Sequence, residues 1–253
     1  MTATRLLRKS FALLIALTML LGVLPIVAMA STDAQDVAAQ TLFNIGLMKG
    51  VNDDPSNPDF DLDRVPTRIE GLIMLIRLMG VEAEALDCDF ECPFEDVPAW
   101  AVPYVAYAFE MGWTKGISET EFNPDGRMTA TQYLTFVLRA LGYVDGVSFT
   151  WDTAWELTDS LGITDGEFQS AGASFLRGDM VLVSLFALEQ PLAGSGTTLI
   201  GSLIEAGAVP ADAAKQVTDA VDEIAAAAAT DPGTITPPSQ SGGGGGGGSF
   251  DTN

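Results

Sequence analysis

The sequence predicts an all-α protein: three helix–loop–helix repeats, then a C-terminal helix and a flexible glycine-rich tail. Three observations carry this. The fifty residues from Phe94 to Tyr143 read as helix, glycine-turned loop and helix. The loop and second helix of that unit recur upstream at a constant offset of 62 residues. A fainter copy in the same order begins downstream at Phe149. One such unit cannot bury its apolar face alone, whereas three stacked around an axis share a core.

The chain opens with a targeting segment at residues 1–30. Arg5, Arg8 and Lys9 form a positive start, Phe11 to Val27 an apolar run, and Ala28-Met29-Ala30 a small-residue cleavage site before Ser31. An uncleaved anchor is the competing reading, but the clean site and the lack of a later bilayer-length apolar run favour a secreted chain without a membrane span. These thirty residues hold three of the 12 basic and none of the 34 acidic side chains, so the remainder carries a formal charge of −25. Such a chain repels nucleic acid and anionic lipid surfaces. Solubility accounts for most of the acid excess.

The first repeat spans residues 31–86. Gly46-Leu47-Met48-Lys49-Gly50 matches Gly112-Trp113-Thr114-Lys115-Gly116 at an offset of 66, so the first loop is four residues longer. Asp53, Asp54, Asp59, Asp61 and Asp63 crowd that loop. Oxygen ligands suit calcium, but the glycine and terminal glutamate of an EF-hand are missing, and a solvated acidic loop is the better reading. Thr67 and Glu70 have capping-box spacing at the start of the second helix.

The second repeat spans residues 87–146. Its first helix starts after Asp96-Val97-Pro98, with a proline in the opening turn, where amides lack helical partners anyway. Trp100, Tyr104, Ala108 and Met111 recur at helical spacing and predict one buried stripe. Gly112 and Gly116 turn the chain. Thr129 and Gln132 then repeat the capping box.

The third, divergent repeat and the C-terminal helix span residues 147–229. Leu161-Gly162-Ile163 and Gly166 imitate the end of a first helix, and Phe175-Leu176-Arg177-Gly178-Asp179-Met180 falls where the second should begin. Pro210 leads a further helix to about Ala229. Residues 230–253, with seven consecutive glycines, read as linker.

Phe94, Asp96-Val97, Trp100-Ala101, Gly112, Gly116, Phe122, Pro124, Gly126 and Arg139-Ala140-Leu141-Gly142 carry an ordered pattern across the second repeat. It resembles an S-layer homology repeat, the module that holds exported proteins on Gram-positive cell walls. The resemblance implies a pseudo-threefold bundle with grooves between lobes. It also implies non-covalent binding of a secondary cell-wall polysaccharide, often through a ketal-linked pyruvate, and a location in the cell wall or S-layer. Within that family a Thr-Arg-Ala-Glu arginine contacts the glycan, and the role carries over to Arg68 in Thr67-Arg68-Ile69-Glu70. A guanidinium beside exposed helix-start amides is a good receptor for a carboxylate. The competing reading is a surface arginine in an ion pair.

The second copy keeps the cap but has Ala130 in place of the arginine, with Arg127 nearby as a substitute of unknown direction. The third has Arg177 at the motif position and loses the threonine. Trp100 suits a groove or the core equally, and Trp113, just past Gly112, is expected to be exposed at a groove. Trp151 and Trp155 lie four apart, one of them expected in the place of Trp100. Cys88 and Cys92 suit a small disulfide or two free thiols.

No cofactor is implied, and enzyme readings fail for lack of parts. The chain has no histidine and no Walker-type Gly-Lys pair. The alternative to glycan anchoring is a self-assembling envelope protein acting through protein–protein contacts.

Overall fold

The computed structural model describes residues 34–52, 54–169 and 174–230. The targeting segment expected at residues 1–30, Asp53 and the glycine tail lie outside them. The described chain is all-α: α1 (Ala34–Asn44), α2 (Arg68–Leu78), α3 (Glu82–Leu86), α4 (Val102–Glu110), α5 (Ala130–Ala140), α6 (Ala154–Leu161), α7 (Arg177–Leu188), α8 (Leu199–Glu205) and α9 (Ala213–Thr230). Among the described residues, no helix is long and apolar enough to cross a membrane.

Three first helices end in the same way. After α1, α4 and α6 a glycine at positive φ (Gly46, Gly112, Gly162) reverses the chain. The next two amides then return to one carbonyl: Leu47 and Met48 to Leu42, Trp113 and Thr114 to Ala108, Ile163 and Thr164 to Thr158. Positive φ is cheap only without a Cβ, which is why glycine holds the position each time. The third, sequence-divergent copy therefore shares the backbone device of the other two.

The second helices α2, α5 and α7 pack on one another and form the centre. Leu72, Leu75, Tyr133, Val137, Val181 and Leu185 are buried there. The Tyr133 hydroxyl lies 2.7 Å from Ser184 Oγ and ties α5 to α7. Capping boxes start α2 and α5. Glu70 accepts from the Thr67 amide at 2.7 Å, Gln132 from the Thr129 amide at 3.2 Å, and each threonine hydroxyl accepts in return from the third helical amide. In α7 Leu176 replaces the threonine, and only the reverse half remains, with Asp179 accepting from the Leu176 amide at 2.8 Å.

The outer helices are exchanged between repeats. α1 packs on α7, α4 on α2, and α6 on α5, so each first helix covers the second helix of the preceding repeat. Loops reinforce the exchange. The amides of Arg68 and Ile69 donate to Gly126 and Pro124 of the second repeat, and those of Arg177 and Gly178 to Arg64 and Leu62 of the first. α9 lies over α1, α7 and α8 and buries Ala213, Val217 and Ala220 at helical spacing.

The stripe predicted for α4 is displaced. Trp100 is 61% exposed and Met111 is exposed too, while Ala101, Val105 and Ala108 are buried. The small residues face α2 because they let two backbones approach, and the large rings are left to the rim. Pro103, rather than Pro98, sits in the opening turn. Cys88 and Cys92 are separate thiols rather than a disulfide. Each turns to a different carbonyl: Cys88 Sγ donates to Ala85 O at 3.1 Å, and Cys92 Sγ lies 3.8 Å from Phe94 O. In the acidic loop, Asp61 pairs with Arg64 Nε at 2.6 Å. Among the described residues no group of acidic or thiol side chains is arranged to hold a metal.

Candidate functional site

Exchange of helices creates two cationic clefts among the described residues, each lined by side chains of more than one repeat. The first is a cavity of about 280 Å³ lined by Arg68, Lys115, Gly116, Ile117, Gln132, Thr135, Phe136, Arg139 and Trp151. Arg68 comes from the start of α2, Lys115 from the loop after α4, and Arg139 from the last turn of α5.

Arg68 does not point freely outward beside open helix amides. It is only 5% exposed, and those amides are taken by Gly126 and Pro124. Its guanidinium carbon lies 4.9 Å from the Phe122 ring centroid and 5.0 Å from that of Phe136. Such stacking replaces part of the lost hydration. Nη2 has two long contacts, 3.5 Å to Thr114 Oγ1 and 3.5 Å to Gly116 O. Nε is buried without a partner, as is Nε of Arg139. Burial, and then the nearby Arg139 charge, push the Arg68 guanidinium down to about 10, so it remains cationic at neutral pH. Two buried guanidinium Nε atoms without acceptors leave a standing demand for an anion.

Arg139 Nη2 pairs with Asp145 at 2.6 Å, and Lys115 Nζ reaches the same carboxylate oxygen at 3.0 Å. The guanidinium of Arg139 holds the Asp145 carboxyl below its usual range. Trp151, 53% exposed, presents its indole at the cavity edge.

The second cavity, about 190 Å³, repeats this arrangement with Arg177 from α7, Lys49 from the loop after α1, and Arg77 from the end of α2. Arg177 is buried, and burial lowers its proton affinity. Unlike Arg68, its Nε has a partner, donating to Phe60 O at 3.0 Å. Glu70 also lines this cavity. Arg64 grips Glu70 through both terminal nitrogens, at 2.8 and 2.9 Å.

At the third junction every cation is replaced. The positions of Arg68, Lys115 and Arg139 correspond to Ala130, Asp165 and Phe186. A cavity of about 420 Å³ is lined by residues of the third repeat alone: Ile163, Glu167, Phe168, Ser174, Asp179, Leu182, Val183 and Phe186.

Among the aromatic candidates, Trp113 is buried rather than exposed, 9% accessible, with its ring edge-on to Tyr107 and its carbonyl accepting from Arg139. Trp100 is exposed but lines none of the three cavities. Trp155 is half-buried against the core. Arg127 is exposed, bridged to Thr67 through the backbone, and also lines none of these cavities. Lys49, Arg77, Lys115, Arg139 and Trp151 were missed as site residues. The matched Gly-x-x-Lys-Gly loops and the arginine ten residues past each cap were the signals that pointed to the cations.

No protein-family model matches the chain. It is similar to a cell surface protein of Thermoanaerobacter kivui, 31% identical over 159 residues, which are 61% of this chain and 20% of the relative. A surface layer protein of Brevibacillus choshinensis is 27% identical over 151 residues, 57% of this chain and 13% of the relative. A middle cell wall protein of Brevibacillus brevis is 28% identical over 109 residues, 42% of this chain and 10% of the relative. The matched part spans a fifth or less of these relatives' length. Their names agree on one place, the secreted cell wall and surface layer, and support a cell-wall-associated surface role for this chain.

Proposed function

We propose that this chain is a non-enzymatic anchoring module of the S-layer homology type. It binds an anionic secondary cell-wall polysaccharide non-covalently in the clefts between repeats. One observation carries the reading. A chain of net charge −22 gathers three cations around one cavity, two of them with a buried Nε lacking any acceptor. A carboxylate-bearing sugar, such as a ketal-linked pyruvate provides, supplies those acceptors, and charge-assisted bonds of this kind are short and strong. Trp151 beside the cations offers a face for a sugar ring. The test is co-sedimentation of the mature chain with Gram-positive wall preparations, before and after their secondary polymers are stripped. Equal sedimentation with both, or with neither, rejects the reading.

A second reading, self-assembly through protein–protein contacts, is favoured by the third copy, where alanine, aspartate and phenylalanine replace the cations and the nearby cavity is lined mostly by apolar side chains. Growth to large assemblies in light scattering without wall polymer supports it.

A further inference from the structure

Both cationic clefts contain a carboxylate that does not face the cavity. In the first, Asp145 Oδ2 accepts from Lys115 Nζ at 3.0 Å and Arg139 Nη2 at 2.6 Å. In the second, Glu82 accepts from Lys49 Nζ at 2.7 Å and Arg77 Nε at 2.9 Å, and from the Tyr104 hydroxyl at 3.3 Å. Neither carboxylate is among the residues lining its cavity, whereas all four cations are.

The two triads are not copies of one sequence position. Asp145 follows its arginine by six residues and sits in the loop after α5, while Glu82 follows by five and opens α3. Different local chains thus arrive at the same bridge wherever the Lys–Arg pair is kept. At the third junction, where Asp165 and Phe186 replace that pair, no ion pair to either residue is found among the described residues.

We infer that Asp145 and Glu82 are positioning residues that fix a loop lysine and a helix arginine as a pair aimed at the ligand. The inference rests on the anchoring reading above. The lysine side chains are 64% and 60% exposed, so without a tether each samples many rotamers that a bound ligand must then restrict. Tethering removes that loss beforehand. The exposed lysine arms of these bridges add little to stability, so their tethering is read in binding.

The sign separates this from bulk electrostatics. Removing a negative charge beside a cationic cleft strengthens its field and should tighten an anion. Loss of a positioning carboxylate should weaken it.

The test measures depletion isotherms of the mature chain on isolated Gram-positive wall sacculi carrying their secondary polymers. Asp145→Asn is expected to bind about tenfold more weakly, with Asp145→Glu recovering most of the loss. In a Lys115→Met, Arg139→Met background, where no cation is left to tether, Asp145→Asn should add almost nothing, while in an Arg177→Met background it should keep its effect. Equal or tighter binding by Asp145→Asn, or an undiminished effect when Lys115 and Arg139 are both replaced by methionine, overturns the inference and leaves the anchoring reading intact. If the wild-type chain does not bind the sacculi, both fall together.

Discussion

Arg68 and Arg139 line one cavity from two different repeats, and the Nε atom of each is buried without an acceptor. An unmet donor inside a protein is costly, and a charged one more so. The pair is therefore a local sacrifice of stability at a cleft, and its removal should affect stability and binding in opposite directions.

Arg68→Met keeps much of the side-chain volume and removes the buried charge. Its melting temperature should match or exceed that of the wild type. Binding to wall preparations should fall by about tenfold or more, the loss of one charge-assisted hydrogen bond. Thermal melts and sedimentation on the same samples check both halves.

The two cationic clefts should not contribute equally. Arg177 Nε already donates to Phe60 O, and Glu70 adds a negative charge to that cavity. Arg177→Met is accordingly expected to weaken sedimentation less than Arg68→Met. The reverse order would show that the orphaned Nε atoms are not what governs affinity.

Tyr133→Phe tests the central bundle without touching a cleft. It deletes the 2.7 Å contact with Ser184, whose hydroxyl still donates to Met180 O. The expected cost is about 1 kcal/mol in urea denaturation, with wall binding unchanged.

Acid should act through Glu70. Partial burial raises its proton affinity, but hydrogen bonds from Arg64 and the Thr67 amide outweigh this and leave its carboxyl at about 2, below the ordinary 4.5. A carboxyl depressed on folding stabilises above its unfolded value and loses that contribution as pH falls through the folded one. Stability should therefore decline from about pH 4.5 towards about pH 2. In Glu70→Gln that part of the slope should flatten, as read from urea midpoints across the range.

The repeats, the capped helix starts and the glycine turns were legible because each depends on residues close together in sequence. Thr67 with Glu70, and Thr129 with Gln132, need only three-residue spacing. The α4 stripe was misread in part because a size-blind apolar period fits two adjacent registers: Ala108 is buried as expected, but close packing against α2 selected Ala101 and Val105 over Trp100 and Met111. Arg68 stood out as a motif residue, but its surroundings did not. Phe122 and Phe136 stack on it, and Lys115 and Arg139 share its cavity, because α4, its loop and α5 all pack against the preceding repeat. That exchange is a tertiary property with no signature in any single segment.

The same exchange makes the copies mutually dependent. α1 finds its cover on α7, so the circle closes only when the last copy meets the first. The third copy thus acts as a keystone: without it the opening helix has no seat, and the second cleft loses Arg177. Shortening the gene to two copies should abolish the cooperative melt rather than yield a smaller binder.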